Sequence, residues 1–95
     1  MIHRRSIKFK ELFKALPLSI QKIAKDQFIL LKDNPSHPSL NFKKLPGTPN
    51  YSVRVNDNYR AIGTPMPKKP TLIVWFFIGT HSSYNNLVTK QYTKK

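Results

Sequence analysis

Hydrophobic positions change their spacing several times along this chain, and each change marks an element. Ile2 to Ile7 is placed as a short first strand mainly because a helix begins directly after it. Phe9, Leu12, Phe13 and Leu16 then recur at helical spacing and stop at Pro17. Pro17 suits the first turn of a second helix, where its missing N–H costs nothing. Ile20, Ile23, Ala24, Phe28 and Leu31 form the apolar stripe of that helix, with Lys22, Lys25, Asp26 and Lys32 on the other side. Asn34-Pro35 ends it, because the residue before proline is pushed out of the α region. The two helices are predicted to form a hairpin.

Between Pro35 and Asn50, four prolines and a glycine break any period, leaving Leu40, Phe42 and Leu45 as scattered anchors. This reads as an ordered connector, and it carries Lys43 and Lys44. Tyr51-Ser-Val-Arg-Val55 alternates apolar and polar as a half-buried strand does, and Asn56-Asp-Asn58 supplies turn residues before Tyr59-Arg-Ala-Ile-Gly63. A three-residue loop sets Val53 opposite Ala61 and Arg54 opposite Arg60. A two-residue loop would instead turn Arg60 onto the Val53/Val55 face and put charge in the core. Thr64 to Pro70 is expected to be a proline-rich loop, too irregular for a tight hairpin. Leu72 to Ile78 is apolar at every position, as in a central strand covered on both faces, and Gly79 ends it. The polar remainder, from Thr80 on, is expected to hold a short turn of helix around Tyr84 to Val88 and a loose basic tail over residues 90–95. The sum is one α+β domain spanning 1–95, an N-terminal strand and a helical hairpin packed on a small antiparallel sheet.

Charge narrows the choice of partner. The 95 residues include 17 lysines and arginines against four carboxylates (Glu11, Asp26, Asp33, Asp57), a formal charge of +13. Such an excess favours a polyanion. With 39% hydrophobic and 12% aromatic residues the chain can build a core, which separates it from disordered basic arms. It has no cysteine, so disulfides and thiolate metal sites are excluded, and a reducing cytoplasm fits. No apolar run follows the basic N-terminus as a secretory signal requires, and Leu72 to Ile78 is too short to span a bilayer. A cytoplasmic location with no membrane partner is expected.

Four scattered carboxylates cannot readily form a glycosidase pair or a two-metal nuclease site. His3, His37 and His81 lack ligand spacing, and the glycines at 47, 63 and 79 make no phosphate loop. Neither a metal nor another cofactor is expected. Ser82 and Ser83 adjoin His81, but no carboxylate side chain after Asp57 could orient a serine-hydrolase base. What remains is a set for acting on phosphates. Arg54 and Arg60, facing each other, would repel unless an anion lay between them; the plainer alternative is that both face solvent. His81 and Tyr84 follow a central strand just past a glycine, where chains commonly present site residues. His81, with an ordinary pKa of roughly 6.5, could take a proton as a neutral imidazole, or serve only as a surface or capping residue.

The order of Asn34-Pro35, the Lys43-Lys44-Leu45 connector, Tyr51-Ser-Val-Arg-Val55, Asp57-Asn-Tyr-Arg60 and Ile78-Gly-Thr-His81 resembles the RelE/ParE toxins of bacterial type II toxin-antitoxin modules, over nearly the whole chain. The resemblance implies a helical hairpin on one sheet face and, in the RelE branch, an RNA site on the other. That branch cuts messenger RNA in the ribosomal A site without metal, and a small acidic antitoxin silences it. By position, Arg60 matches the arginine of a Tyr-Arg motif that stabilises phosphate charge. His81 matches the catalytic histidine of a Gly-Thr-His subgroup similar to the YafQ toxins, and Tyr84 lies near a C-terminal aromatic of the ribonuclease members. Arg54, Lys43 and Lys44 match basic positions that hold RNA. The chain departs from the branch that places a glutamate on the strand before the arginine, having no acid between Asp33 and Asp57. The stretch from 64 to 70 is also longer than usual.

The resemblance thus implies a metal-independent endoribonuclease. Its His81 would remove the ribose 2′-OH proton, Arg54 and Arg60 would stabilise the phosphorane, and Tyr84 would stack on a base or orient the phosphate. Two alternatives stand beside it: a ParE-like gyrase inhibitor needing no catalytic residues, and a non-catalytic basic domain that binds nucleic acid by charge alone. An amphipathic membrane binder is disfavoured, because the helical stripes are needed for the core.

Overall fold

Ser6 divides the first strand from the first helix. Its Oγ accepts from the Phe9 N–H at 3.0 Å, the bond of a helix N-cap, while its own N–H donates to the Trp75 carbonyl at 3.0 Å. In the computed structural model, which describes residues 1–80 and Ser82, β1 (Ile2–Arg5) leads through this cap into α1 (Ile7–Lys14) and α2 (Leu18–Asp33). A 3-10 turn at Pro38–Leu40 follows, then β2 (Lys43–Lys44), β3 (Tyr51–Arg54), β4 (Tyr59–Met66) and β5 (Lys69–Thr80). Pro17 sits one position earlier than expected, at the N-cap of α2. The Gln21 amide of the next helix donates to the Leu16 carbonyl at 2.9 Å, which closes the α1–α2 corner.

The strands form one five-stranded sheet in the order β1-β5-β4-β3-β2. The fold is α+β as expected, and the β2–β3–β4–β5 pairings are all antiparallel. β1 is the exception: it runs parallel to β5, because the helical hairpin carries the chain across one face before the rest of the sheet begins. The connector also contributes an edge strand, since Lys43 and Lys44 pair with Ser52 and Tyr51.

The core lies between the helices and one sheet face, and Trp75 is its centre with 0% exposure. Phe28 of α2 meets its ring edge-on at 5.5 Å between centroids, and Phe42 lies at 6.4 Å. Gly63 stands opposite Trp75 in the ladder, and a Cβ there would come within 2.8 Å of the indole and 2.7 Å of Ile73 Cγ2. The missing side chain is what lets the indole lie flat on β4. The apolar stripe of α2 departs from expectation at one point. Ile23 is 37% exposed, whereas Gln27 is half-buried and its amide donates to the Arg54 carbonyl at 3.0 Å, tying the helix to the end of β3.

Residues 64–70 are not a loop. β4 continues through Met66 and pairs Thr64 with Val74, Pro65 with Ile73 and Met66 with Lys69, leaving Pro67 and Lys68 as a tight turn. The prolines are accommodated for two reasons. The last β3 partner is Tyr51 at Gly63, so Pro65 has a neighbour on one side only, and the register slips between Pro65 and Met66, so that Pro70 falls at the slip and not in a regular ladder pair. A second slip follows Ile62, which pairs with Phe77 while Gly63 pairs with Trp75, so that Phe76 is an extra residue. Ile73, Trp75 and Ile78 are therefore all buried on the helical face although Trp75 and Ile78 are three apart. β5 has strands on both sides, as expected of a central strand, but Leu72, Val74, Phe76 and Phe77 are only half-buried, so helices cover one face alone.

His3 closes the core at the β1 edge. The Trp75 indole N–H donates to His3 Nδ1 at 3.0 Å, which requires an unprotonated Nδ1. Burial lowers the His3 pKa from its ordinary value, and the N-terminal ammonium and Lys32 lower it further. A lowered folded-state pKa means that the unfolded chain takes up the proton first. The contribution of His3 is thus complete above about pH 6.5 and is lost as the pH falls from there through the folded-state value. His3→Asn, whose amide oxygen can accept from the indole without titrating, should flatten the fall in melting temperature between pH 7 and pH 5; identical profiles for the two proteins would remove His3 from the account. Independently, Gly63→Ala should lower the unfolding free energy by about 1–3 kcal/mol in urea titrations, the usual cost of overpacking a core.

Candidate functional site

The sheet face away from the helices carries charged, polar and apolar side chains. By ladder alternation Lys43, Ser52, Arg54, Arg60, Ile62, Phe77 and Gly79 share it, in cross-strand rows Lys43–Ser52–Ile62–Phe77 and Arg54–Arg60–Gly79. The arginines stand directly opposite each other, as the three-residue loop requires, while Val53, Val55 and Ala61 are buried beneath them on the helical side. Tyr59 packs, partly buried, against the same core. Lys44 falls on the other side: it pairs with Tyr51, whose ring stacks on Phe42 at 5.2 Å. Of the two connector lysines, only Lys43 belongs to the arginine face.

The hairpin loop holds both guanidinium groups. Asn56 Oδ1 accepts from the N–H groups of Asn58 and Tyr59, each at 2.9 Å, and the Val55 N–H donates to the Tyr59 carbonyl at 3.0 Å. This shapes the loop so that the Asn56 carbonyl receives Arg60 Nη1 at 2.6 Å, with the Tyr59 carbonyl at 3.0 Å from the same nitrogen. Arg54 Nη2 forms an ion pair with Asp57 Oδ1. The repulsion between facing arginines is therefore relieved inside the hairpin, by one carboxylate and two carbonyls. Both residues remain half-exposed, leaving guanidinium edges able to bind a phosphate oxygen. That ion-pair partner was not legible from spacing alone, although Asp57 stands in the very turn that separates the two strands.

Gly79 lies opposite Arg60, and Thr80 opposite Tyr59. His81 and Tyr84, the other two expected site residues, lie outside the described residues, as do the helical turn around Tyr84 to Val88 and the basic tail. The histidines that are described have structural work instead. His3 accepts from Trp75, and His37 Nδ1 accepts from the Ser39 N–H at 3.2 Å at the start of the 3-10 turn. A concavity of about 310 Å³ lies on the opposite side of the sheet, between β1 and the two helices, with Phe9, Phe13 and Phe28 in its wall and Arg5, Lys25 and Lys32 around it. His3 and Trp75 line it too, and the His3 Nδ1 is already engaged by the indole N–H.

No family model and no curated protein sequence matches the chain. Solved structures do. A RelB–RelE antitoxin–toxin complex from Methanococcus jannaschii superposes with a TM-score of 0.66 at 20% identity, over 88% of this chain and 96% of that one. Free RelE from E. coli, as a mutant with two arginines replaced by alanine, matches at 0.63 and 15% identity over 94% and 95%, and YafQ from E. coli at 0.62 and 18% over 86% and 94%. Both chains are covered almost end to end, so the likeness extends to the strand order and the helical hairpin together. The chain has the fold of the RelE-type toxins.

Proposed function

We propose that this chain is the toxin of a toxin-antitoxin module of the RelE/ParE superfamily and acts as a metal-independent endoribonuclease on messenger RNA. The observation that carries the reading is the facing pair Arg54 and Arg60, fixed by the hairpin loop on the sheet face that the helices leave open, with Gly79 beside them two residues before His81. Two guanidinium groups on adjacent strands can bind the two non-bridging oxygens of one phosphate. They stabilise the charge that grows when a 2′-oxygen attacks phosphorus, once the phosphate has taken the place of Asp57 on Arg54. His81 is proposed as the base that takes the 2′-OH proton, Tyr84 as the aromatic that stacks on a base or orients the phosphate, and Lys43 as a backbone contact. Lys44, on the other face, drops out of the RNA contacts. The nucleophile belongs to the substrate, so DNA is inert.

The charge of +13 supports both an RNA substrate and an acidic protein partner, as does the occurrence of the fold in RelB–RelE antitoxin–toxin complexes. Asp57 has a part in the same chemistry. It is exposed and holds Arg54 in the place of a phosphate, so an incoming RNA must displace it.

Asp57→Asn should therefore lower the melting temperature by no more than a few degrees. Removing the competitor frees an exposed pair worth about 0.2–1 kcal/mol and should tighten RNA binding by about 1.5-fold to 5-fold, as measured by filter binding. His81→Ala should retain the fold but lose roughly 100-fold to 10,000-fold in cleavage rate. Cleavage should survive a chelator and stop on an RNA carrying 2′-deoxyribose at the cut position. A His81→Ala protein cutting at the parental rate would exclude this mechanism. Intact messenger RNA with arrested gyrase on DNA would replace it with the ParE type of action.

A further inference from the structure

The glycine before Thr80 is more than a strand end. A Cβ built at Gly79 would come within 2.9 Å of Phe77 Cζ and 3.5 Å of both Cε atoms, so the Phe77 ring is folded along its own strand and lies over Gly79. Gly79 is the cross-strand partner of Arg60. Opposite residues on one face have Cβ atoms about 5 Å apart, which sets the tip of the phenyl ring beside the base of the Arg60 side chain. Phe77 is half-buried, with Ile62 at 1% exposure as its cross-strand partner, and Ile62 lies outside the helical-side core. The face that carries Arg54 and Arg60 thus includes an aromatic ring laid over the cross-strand partner of Arg60, backed by Ile62 and not fully covered.

We infer that the Phe77 ring, laid over Gly79, is a stacking platform for one nucleobase flanking the phosphate held by Arg54 and Arg60. This rests on the ribonuclease reading above and adds a base subsite to it. A nucleotide whose phosphate engages two arginines projects its base within a few ångströms of them. An aromatic face there gains from any base and fixes the nucleotide's orientation without reading its sequence. The geometry also accounts for glycine in the Gly-Thr-His segment, since a side chain at 79 would push the ring off the spot beside Arg60. Phe77 is a positioning residue for the sugar and phosphate, not a proton carrier.

The test uses the full chain and an RNA oligonucleotide made uncleavable by a single 2′-deoxyribose at the cut position, with two further versions abasic at one or the other flanking nucleotide. On the intact oligonucleotide Phe77→Leu should bind about 10-fold more weakly than the parent, and Phe77→Tyr about as well as the parent. Gly79→Ala, which displaces the ring tip without removing it, should weaken binding in the same direction and keeps the test valid should Phe77→Leu fail to fold. At one abasic position the parent should lose the same factor, while Phe77→Leu and Gly79→Ala lose nothing further. If Phe77 only covers Ile62, the variants will lose the same factor on abasic and intact RNA, which overturns the platform; so does a parent indifferent to both abasic sites. A parent that neither binds this oligonucleotide nor cuts its all-ribose counterpart overturns the ribonuclease reading itself, a different result from a parent that cuts the all-ribose RNA normally and ignores the missing base.

Discussion

Trp75 is the residue through which the two layers of this protein are joined. It receives Phe28 from α2, approaches Phe42 from the connector, lies against Gly63 of β4 and donates its only side-chain N–H to His3 of β1. Each contact comes from a different part of the chain. An indole suits the place because its large apolar surface favours burial while its one donor demands a single acceptor in a fixed direction. His3 supplies that acceptor, and with it the parallel register of β1 on β5 gains a specific bond besides the ladder. The open face of the sheet can carry charge because the other face is secured in this way.

Much of this arrangement was legible in the sequence. The helical hairpin followed from the spacing of Phe9, Leu12, Phe13, Ala24, Phe28 and Leu31, and the register of the β3–β4 hairpin followed from keeping Arg60 off the Val53/Val55 face. Both rest on a strong rule: charge does not enter a core unpaired. Where the rules were weaker, sequence reasoning missed. Prolines at 65, 67 and 70 suggested a loop, because proline removes a ladder donor. In the fold, however, one lies beyond the end of β3, with a strand on one side only, and another at a slip in register, outside the regular ladder. Ile23, expected in the apolar stripe, is exposed, while Gln27 turns inward to bond a strand carbonyl at long range, which no helical period encodes.

The candidate site was legible in its residue types more than in its contacts. Arg54 and Arg60 were placed correctly as a facing pair, but the partners that make their proximity tolerable are the Asp57 carboxylate and two loop carbonyls, not a missing anion. Lys43 and Lys44, equivalent as a basic dipeptide, are separated by alternation once β2 exists. Phe77 was hidden among seven consecutive apolar residues, where nothing in the pattern distinguishes a core position from one on the open face.

That concealment has its origin in the extra residue at Phe76. An unbroken apolar run has no phase of its own, so the sheet must impose one, and here it imposes two. Before the bulge odd-numbered residues turn toward the helices, and after it even-numbered residues do, which sends Phe77 and Gly79 outward into the row of the arginines. The same strand serves as foundation at one end and as working surface at the other. A lineage could therefore move aromatic groups into or out of the site by shifting the bulge one position, without changing the hydrophobic composition of the strand.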